Sequence, residues 1–211
     1  VRRDANFDTL TGLANRGHFL ACLRQVLEGE SATDGSLLLI RLTDLAGINR
    51  RLGREATDDY LKRAADAIRL CARLAPEGIA ARLNGADFAV MLPGEASGRG
   101  AAGKLLERLA EIAAPFVEGR TAAIGLGRFG LGMDLGSVLA RADSALAGAE
   151  AEGIDAIREA TPDGREAQPR TARQWEQMIQ RALDNEWVRL TSFPVVDFSG
   201  LLTHCECPLR L

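Results

Sequence analysis

The stretch Ala81-Arg82-Leu83-Asn84-Gly85-Ala86-Asp87-Phe88-Ala89-Val90-Met91-Leu92-Pro93 decides the fold. Two apolar runs, residues 79–83 and 88–92, flank the pair Asn84-Gly85, and both residues of that pair tolerate positive φ. The pattern predicts a β-hairpin with Asn84-Gly85 at its tip. Working outward, residues 37–42 form a short continuous apolar run, which predicts a central strand buried on both faces. Phe19, Leu20, Leu23, Val26 and Leu27 recur at helical spacing after Asn15, a good N-cap, and predict a helix over residues 16–29. Tyr60, Leu61, Ala64, Ala65, Ile68 and Cys71 share one stripe of a helix over 55–74. Helices over 101–114 and 135–151, a glycine-interrupted strand over 122–129 and a last strand over 154–158 complete the order β-α-β-β-α-β-α-β. That order gives an α/β fold of the α+β kind, a mixed sheet flanked by helices.

The bulk properties narrow the function classes. A chain of 211 residues that is 46% hydrophobic can bury a sizeable core and holds one full domain with part of another. A net charge of −3 supplies no basic patch for a nucleic-acid backbone, so no nucleic-acid partner is expected. Four cysteines without framework spacing point to a reducing compartment. Cys205-x-Cys207 is half of a metal motif at most, and on a strand the two thiols simply share a face. No apolar run approaches the ~20 residues needed to span a bilayer, and no signal peptide is visible. The chain opens on Val1 and reads as a fragment, expected to be a cytoplasmic domain whose parent protein could be anchored in the inner membrane.

Beside the hairpin stand Asp8-Thr9-Leu10-Thr11-Gly12-Leu13-Ala14-Asn15-Arg16 and Ile48-Asn49 followed by Gly53 and Asp58. These segments, in this order and spacing, resemble the GGDEF domain of bacterial diguanylate cyclases, which join two GTP molecules into cyclic di-GMP. The resemblance covers residues 4–160 and implies the palm-like sheet shared with nucleotidyl cyclases. The family hairpin Arg-x-Gly-Gly-Asp/Glu-Glu-Phe stands here as Arg82-Leu83-Asn84-Gly85-Ala86-Asp87-Phe88. Residues 161–170, with two prolines, a glycine and several charges, read as a linker. Trp175, Ile179, Ala182 and Leu183 then make a further helical stripe. The tail, with Phe193-Pro194-Val195-Val196 and Glu206-Cys207-Pro208-Leu209-Arg210, resembles the opening of an EAL domain, the cyclic di-GMP phosphodiesterase barrel. The domain reading is therefore 1–160 GGDEF-like, 161–170 linker, and 171–211 an N-terminal EAL fragment too short to close a barrel.

The resemblance implies an altered site. In the family one metal-binding Asp lies eight residues before the guanine-contacting Asn; counting back from Asn49 gives Arg41. The second acid is the third hairpin residue, here Ala86. Unit charges 4 Å apart interact by about 4 kcal/mol at an effective dielectric of 20, so Asp-to-Arg turns attraction for a cation into repulsion of like size. A phosphate-binding Lys is replaced by Glu150 and a supporting Arg by Ile154, and the inhibitory Arg-x-x-Asp motif is absent at residues 75–78. Asn49, Asp58, Asn84 and Gly85 stand as a nucleotide-binding remnant, although Asn49 as a helix-boundary cap and Asp58 as a first-turn acid explain those two equally well. Glu206 and Arg210 are the EAL remnant, with Glu206 a metal ligand in a complete EAL domain.

The leading expectation is a catalytically inactive GGDEF domain. It serves as a regulatory or dimerisation module for its own EAL domain and an upstream sensory or helical region, as in degenerate tandem receptors of the LapD type. No cofactor is expected in this chain, with Mg or Mn confined to a complete EAL domain. Cyclic di-GMP binds through that domain, and GTP weakly or not at all. The alternatives are a GTP-binding allosteric domain that activates an EAL phosphodiesterase and, last, residual cyclase activity.

Overall fold

The computed structural model describes residues 6–29, 34–94, 98–130, 132–153 and 155–160, and a smaller set beyond them. The chain divides into two compact units, Val1–Ala167 and Gln168–Leu211. In the first, β1 (Ala14–Asn15), α1 (Arg16–Glu28), β2 (Gly35–Leu42), α2 (Leu45–Ala72), β3 (Ile79–Asn84), β4 (Asp87–Pro93), α3 (Gly98–Ala113), β5 (Ala122–Phe129), α4 (Leu135–Ala151) and β6 (Ala156–Glu159) follow in order. The strands form one mixed sheet in the order β1-β3-β4-β2-β5-β6. β2 lies at its centre, antiparallel to both β4 and β5, while β1 and β6 pair in parallel with β3 and β5 at the edges.

Strand alternation divides the core. Leu38, Ile40 and Leu42 of β2 face one side with Phe88, Val90 and Leu92, packed by Tyr60, Leu61 and Ile68 of α2 and Leu105 and Leu109 of α3. Leu37 and Leu39 face the other side with Ala89 and Met91, packed by Phe19 and Leu23 of α1 and by Val138, Ala142 and Leu146 of α4. Arg41 follows the parity of Leu37 and Leu39, and it stands directly opposite Asp87 in the β2–β4 register.

The structure corrects several sequence expectations. The two residues of the hairpin turn are Gly85 and Ala86, one step beyond the expected Asn84-Gly85 tip. Asn84 pairs with Asp87, a register shift separates Arg82 from Asn84, and Gly85 alone in the turn has positive φ, at 21°. The Arg82 guanidinium explains the shift, because its Nε and Nη2 donate to the Gly85 carbonyl at 3.0 and 2.8 Å. Helix α2 starts ten residues before the expected 55 and contains a break at Gly53 (φ 83°, ψ 176°), whose non-helical backbone separates two helical legs. Strand β1, two residues long, escaped the sequence pattern, and β6 begins at Ala156, beyond the expected 154.

In the second unit β7 (Arg189–Leu190) pairs antiparallel with β10 (Leu209–Arg210), and β8 (Phe193–Val196) with β9 (Leu202–Glu206). Glu206 ends β9 opposite Phe193, and Arg210 ends β10 opposite Arg189. The linker 161–170, the helical stripe at Trp175, Ile179, Ala182 and Leu183, and Cys207 lie outside the described residues, as does Ile154. Among the described residues no helix is long and apolar enough to cross a membrane.

Candidate functional site

At the end of the sheet where β2 leaves and β4 enters, an arginine takes the central place. Arg41 Nε donates to Asp87 Oδ1 at 2.7 Å and Nη2 to Oδ2 at 3.3 Å. Its Nη1 donates to both oxygens of Glu150, at 2.9 and 3.1 Å, so one guanidinium holds a carboxylate from β4 and another from the last turns of α4. Side-chain exposures of 40% for Arg41, 22% for Asp87 and 28% for Glu150 place the network at the surface of a cleft. The hydrogen bond to Asp87 is the largest cause that holds the Arg41 guanidinium charged, followed in the same direction by Glu150 and opposed by burial. A second arginine clamps the same turn: Arg120 Nη1 donates to the Glu150 carbonyl at 2.7 Å, and the Thr43 hydroxyl in turn donates to the Arg120 carbonyl. A cation on a late carbonyl of a helix also suits the helix dipole.

The hairpin tip is tethered to the segment before α1. Asp8 accepts from the Thr11 amide at 2.9 Å and the Thr11 hydroxyl at 2.6 Å, and Arg82 Nη1 reaches it at 3.2 Å. Burial pushes the Asp8 carboxyl up, but Thr11 and the Arg82 guanidinium together outweigh it and hold the group below its ordinary value of 3.8. Asn15 caps α1 by accepting from the His18 amide at 3.0 Å, as expected. Motif residues separated by more than seventy positions therefore meet at one corner.

Helix α2 carries the remaining candidates. Asp44, at φ 56°, caps it by accepting from the Gly47 amide at 3.1 Å and is bridged by Arg51 at 2.9 Å. Asn49 is exposed inside the first leg, not at its boundary, and Asp58 is half-buried in the second leg, 3.9 Å from Arg54. Farther in, Tyr60 is fully buried against Phe116, and its hydroxyl has no hydrogen-bond partner among the described residues. Burial, then the charge of Asp155, pushes that hydroxyl up. Asp155 is itself saturated by the amides of Thr121 and Ala122 and the Thr121 hydroxyl, at 2.6, 2.9 and 2.7 Å.

The structure brings Arg41, Asp87 and Glu150 together, and Leu83 and Asn84 line one cavity with Arg41 and Asp87. Ala86 goes elsewhere: it packs against the core on the α2 and α3 side, where its backbone carbonyl accepts from the Leu42 amide at 3.0 Å. The donor set does not suit a divalent cation, because Arg41 brings a positive charge, Ala86 brings no side-chain donor, and Asp87 and Glu150 already bind the guanidinium. No group of three or more His, Cys, Asp or Glu side chains among the described residues could hold a metal ion. Sequence reasoning weighed Arg41 and Glu150 as separate changes, whereas the structure joins them as a complementary pair. It missed Arg120, and the opposite charges at 41 and 150 were the one signal that could have suggested the pairing.

Comparison with known proteins adds family evidence. The family described as "Diguanylate cyclase, GGDEF domain" matches residues 5–156. The diguanylate cyclase DgcS of Shewanella oneidensis is 32% identical over 107 residues, 50% of this chain and 34% of that protein. The coiled coil and GGDEF domain of DgcB from Caulobacter crescentus, solved in complex with c-di-GMP, superposes with a TM-score of 0.66 at 30% identity, over 75% of this chain and 87% of that one. The S helix-GGDEF-EAL portion of Vibrio cholerae LapD, bound to c-di-GMP, matches 99% of this chain and 49% of that one, with a TM-score of 0.65. At 19% identity the LapD likeness is one of fold. The chain spans no more than about half the length of the curated relatives it matches.

Proposed function

Because the chain belongs to the GGDEF family, with residues 5–156 matching it, we propose that it serves cyclic di-GMP signalling as a GGDEF domain that has given up catalysis. It acts as a regulatory or dimerisation module coupled to a C-terminal EAL domain. One observation carries this reading. The β2 position expected to hold a metal-binding acid holds Arg41, and its guanidinium is already taken by Asp87 and Glu150. A magnesium-bound triphosphate entering there would meet a side chain of the wrong sign for the metal and an acid of the wrong sign for the phosphates. The strands ending in Glu206 and Arg210, and a likeness that runs over nearly the whole chain to a GGDEF-EAL portion, support the EAL coupling.

The test is direct: the purified chain with GTP and magnesium or manganese forms no cyclic di-GMP by chromatography. Product above a no-enzyme control refutes the reading. A second reading, GTP binding without turnover, draws on the exposed Asn49 and half-buried Asp58 flanking the break in α2. Low-micromolar GTP affinity abolished by Asp58→Ala would establish it. Residual cyclase activity ranks last.

A further inference from the structure

Two cavities adjoin beside the hairpin and share three residues. One, of about 400 Å³, lies between α1 and α4 over the sheet, with an apolar wall of Phe19, Leu20, Leu39, Leu139 and Leu146. The other, of about 630 Å³, lies over the start of α1 and is lined largely by polar residues, among them Asp8, Asn15 and Arg82. Arg16, Leu83 and Asn84 line both. The first alone is of a size that takes a small organic ligand.

Two charges around this double cavity stand outside any ion pair among the described residues, while the Arg41 network, one guanidinium on two carboxylates, keeps a net −1 on the α4 side. Arg82 is taken by Asp8 and by the Gly85 carbonyl, and Arg41 by Asp87 and Glu150. Arg16, exposed on the first turn of α1, has no ion-pair or hydrogen-bond partner among the described residues. Asp143, exposed on α4 across the apolar cavity, has none either. An anion is therefore drawn to the α1 side and repelled from the α4 side. The Asn84 side chain is available to donate to the same anion, and the apolar wall begins where Arg16 ends.

We propose that this double cavity binds an amphipathic organic anion, with its carboxylate, sulfonate or phosphate on Arg16 and Asn84 and its apolar body between α1 and α4. The site lies on the α1 and α4 face of the sheet, away from Asn49 and Asp58 on α2; it shares Asn84 with the nucleotide-binding remnant, and Arg16 and the apolar wall set it apart. Such a ligand bridges two helices and the hairpin, and so couples a metabolite or lipid-derived acid to the geometry of the Arg41 network.

The probe is 8-anilinonaphthalene-1-sulfonate, whose fluorescence rises in apolar surroundings, titrated against the full chain. Saturable single-site binding is expected, displaced by decanoate. Arg16→Ala weakens it about tenfold, the loss of one charge-assisted contact. Arg16→Lys retains most of it, and Leu139→Trp, which fills the apolar cavity, removes it. Non-saturable fluorescence, or binding that Arg16→Ala leaves unchanged, overturns the proposal, and the Arg16 pair decides even if Leu139→Trp fails to fold. Formation of cyclic di-GMP is read in a separate assay, so neither result can stand in for the other.

Discussion

Arg41 shows how one residue converts a site into a strut. Its contacts are charge-assisted and fork-shaped, yet they sit at the rim of a cleft, so solvent discounts them. We expect Arg41→Ala to cost about 1–2 kcal/mol in urea denaturation, because Asp87 and Glu150 are left to repel one another, and the loss should shrink in high salt. Asp8 gives a pH-dependent case. Its folded value lies below the ordinary 3.8, so the unfolded chain binds the proton more readily, and the group stabilises the fold at any pH well above 3.8. That contribution fades as pH falls through the folded value. Asp8→Asn should therefore destabilise by about 1–3 kcal/mol at pH 7, with the gap to the parent chain closing below about pH 4 in thermal melts. Tyr60 points the other way. Its buried hydroxyl lacks a partner among the described residues, so Tyr60→Phe should leave stability unchanged or raise it by up to about 1 kcal/mol; a clear loss would reveal a buried water on that oxygen.

At the scale of elements, the close approach of α4 to β5 is a tight constraint. A Cβ on Gly125 would stand 2.3 Å from the Ala142 carbonyl and the Leu146 amide, both backbone atoms that cannot swing aside. Gly125→Ala should lower stability by about 1–3 kcal/mol or more, read as a lower urea midpoint, as α4 is pushed off the sheet. Gly53 has open space around it, but its φ of 83° and ψ of 176° belong to glycine alone. The elements themselves were legible because their periodicity is strong: α1, β2, β4, β5 and α4 fall where apolar spacing puts them. Their junctions were less so. Residues 45–52 are too short, and with Gly47 and Asn49 too poor in helix formers, to announce a helix, and it took the Asp44 cap to build one. The hairpin tip moved one residue as Arg82 captures the Gly85 carbonyl, a side-chain to main-chain contact three residues along that the Asn-Gly turn rule does not contain. The motif at residues 8–16 was readable as a resemblance, but its physical partner, Arg82, emerged only when the chain folded Asp8 onto it.

The whole molecule puts the Arg41 network at the confluence of five elements, where β2 ends, β4 and β5 begin, α2 starts and α4 finishes. Such a junction cannot be reverted one residue at a time. Arg41→Asp alone would set three carboxylates, at positions 41, 87 and 150, in the space now bridged by one guanidinium. Like charges 4 Å apart repel by about 4 kcal/mol at an effective dielectric of 20, before any gain from a metal. Adding Ala86→Glu places its acid at a position that packs toward α2 and α3, and leaves Glu150 on the phosphate side without the cation that Arg41→Asp has removed. We therefore expect the double variant Arg41→Asp/Ala86→Glu to form no cyclic di-GMP from GTP and magnesium, and to be less stable than the parent chain. The triple variant that also carries Glu150→Lys restores both signs at once. It should regain stability relative to the double variant, with the new lysine pairing across to the acids at 41 and 87. If the double variant were active by product chromatography while keeping Glu150, the electrostatic account of the lost site would be wrong.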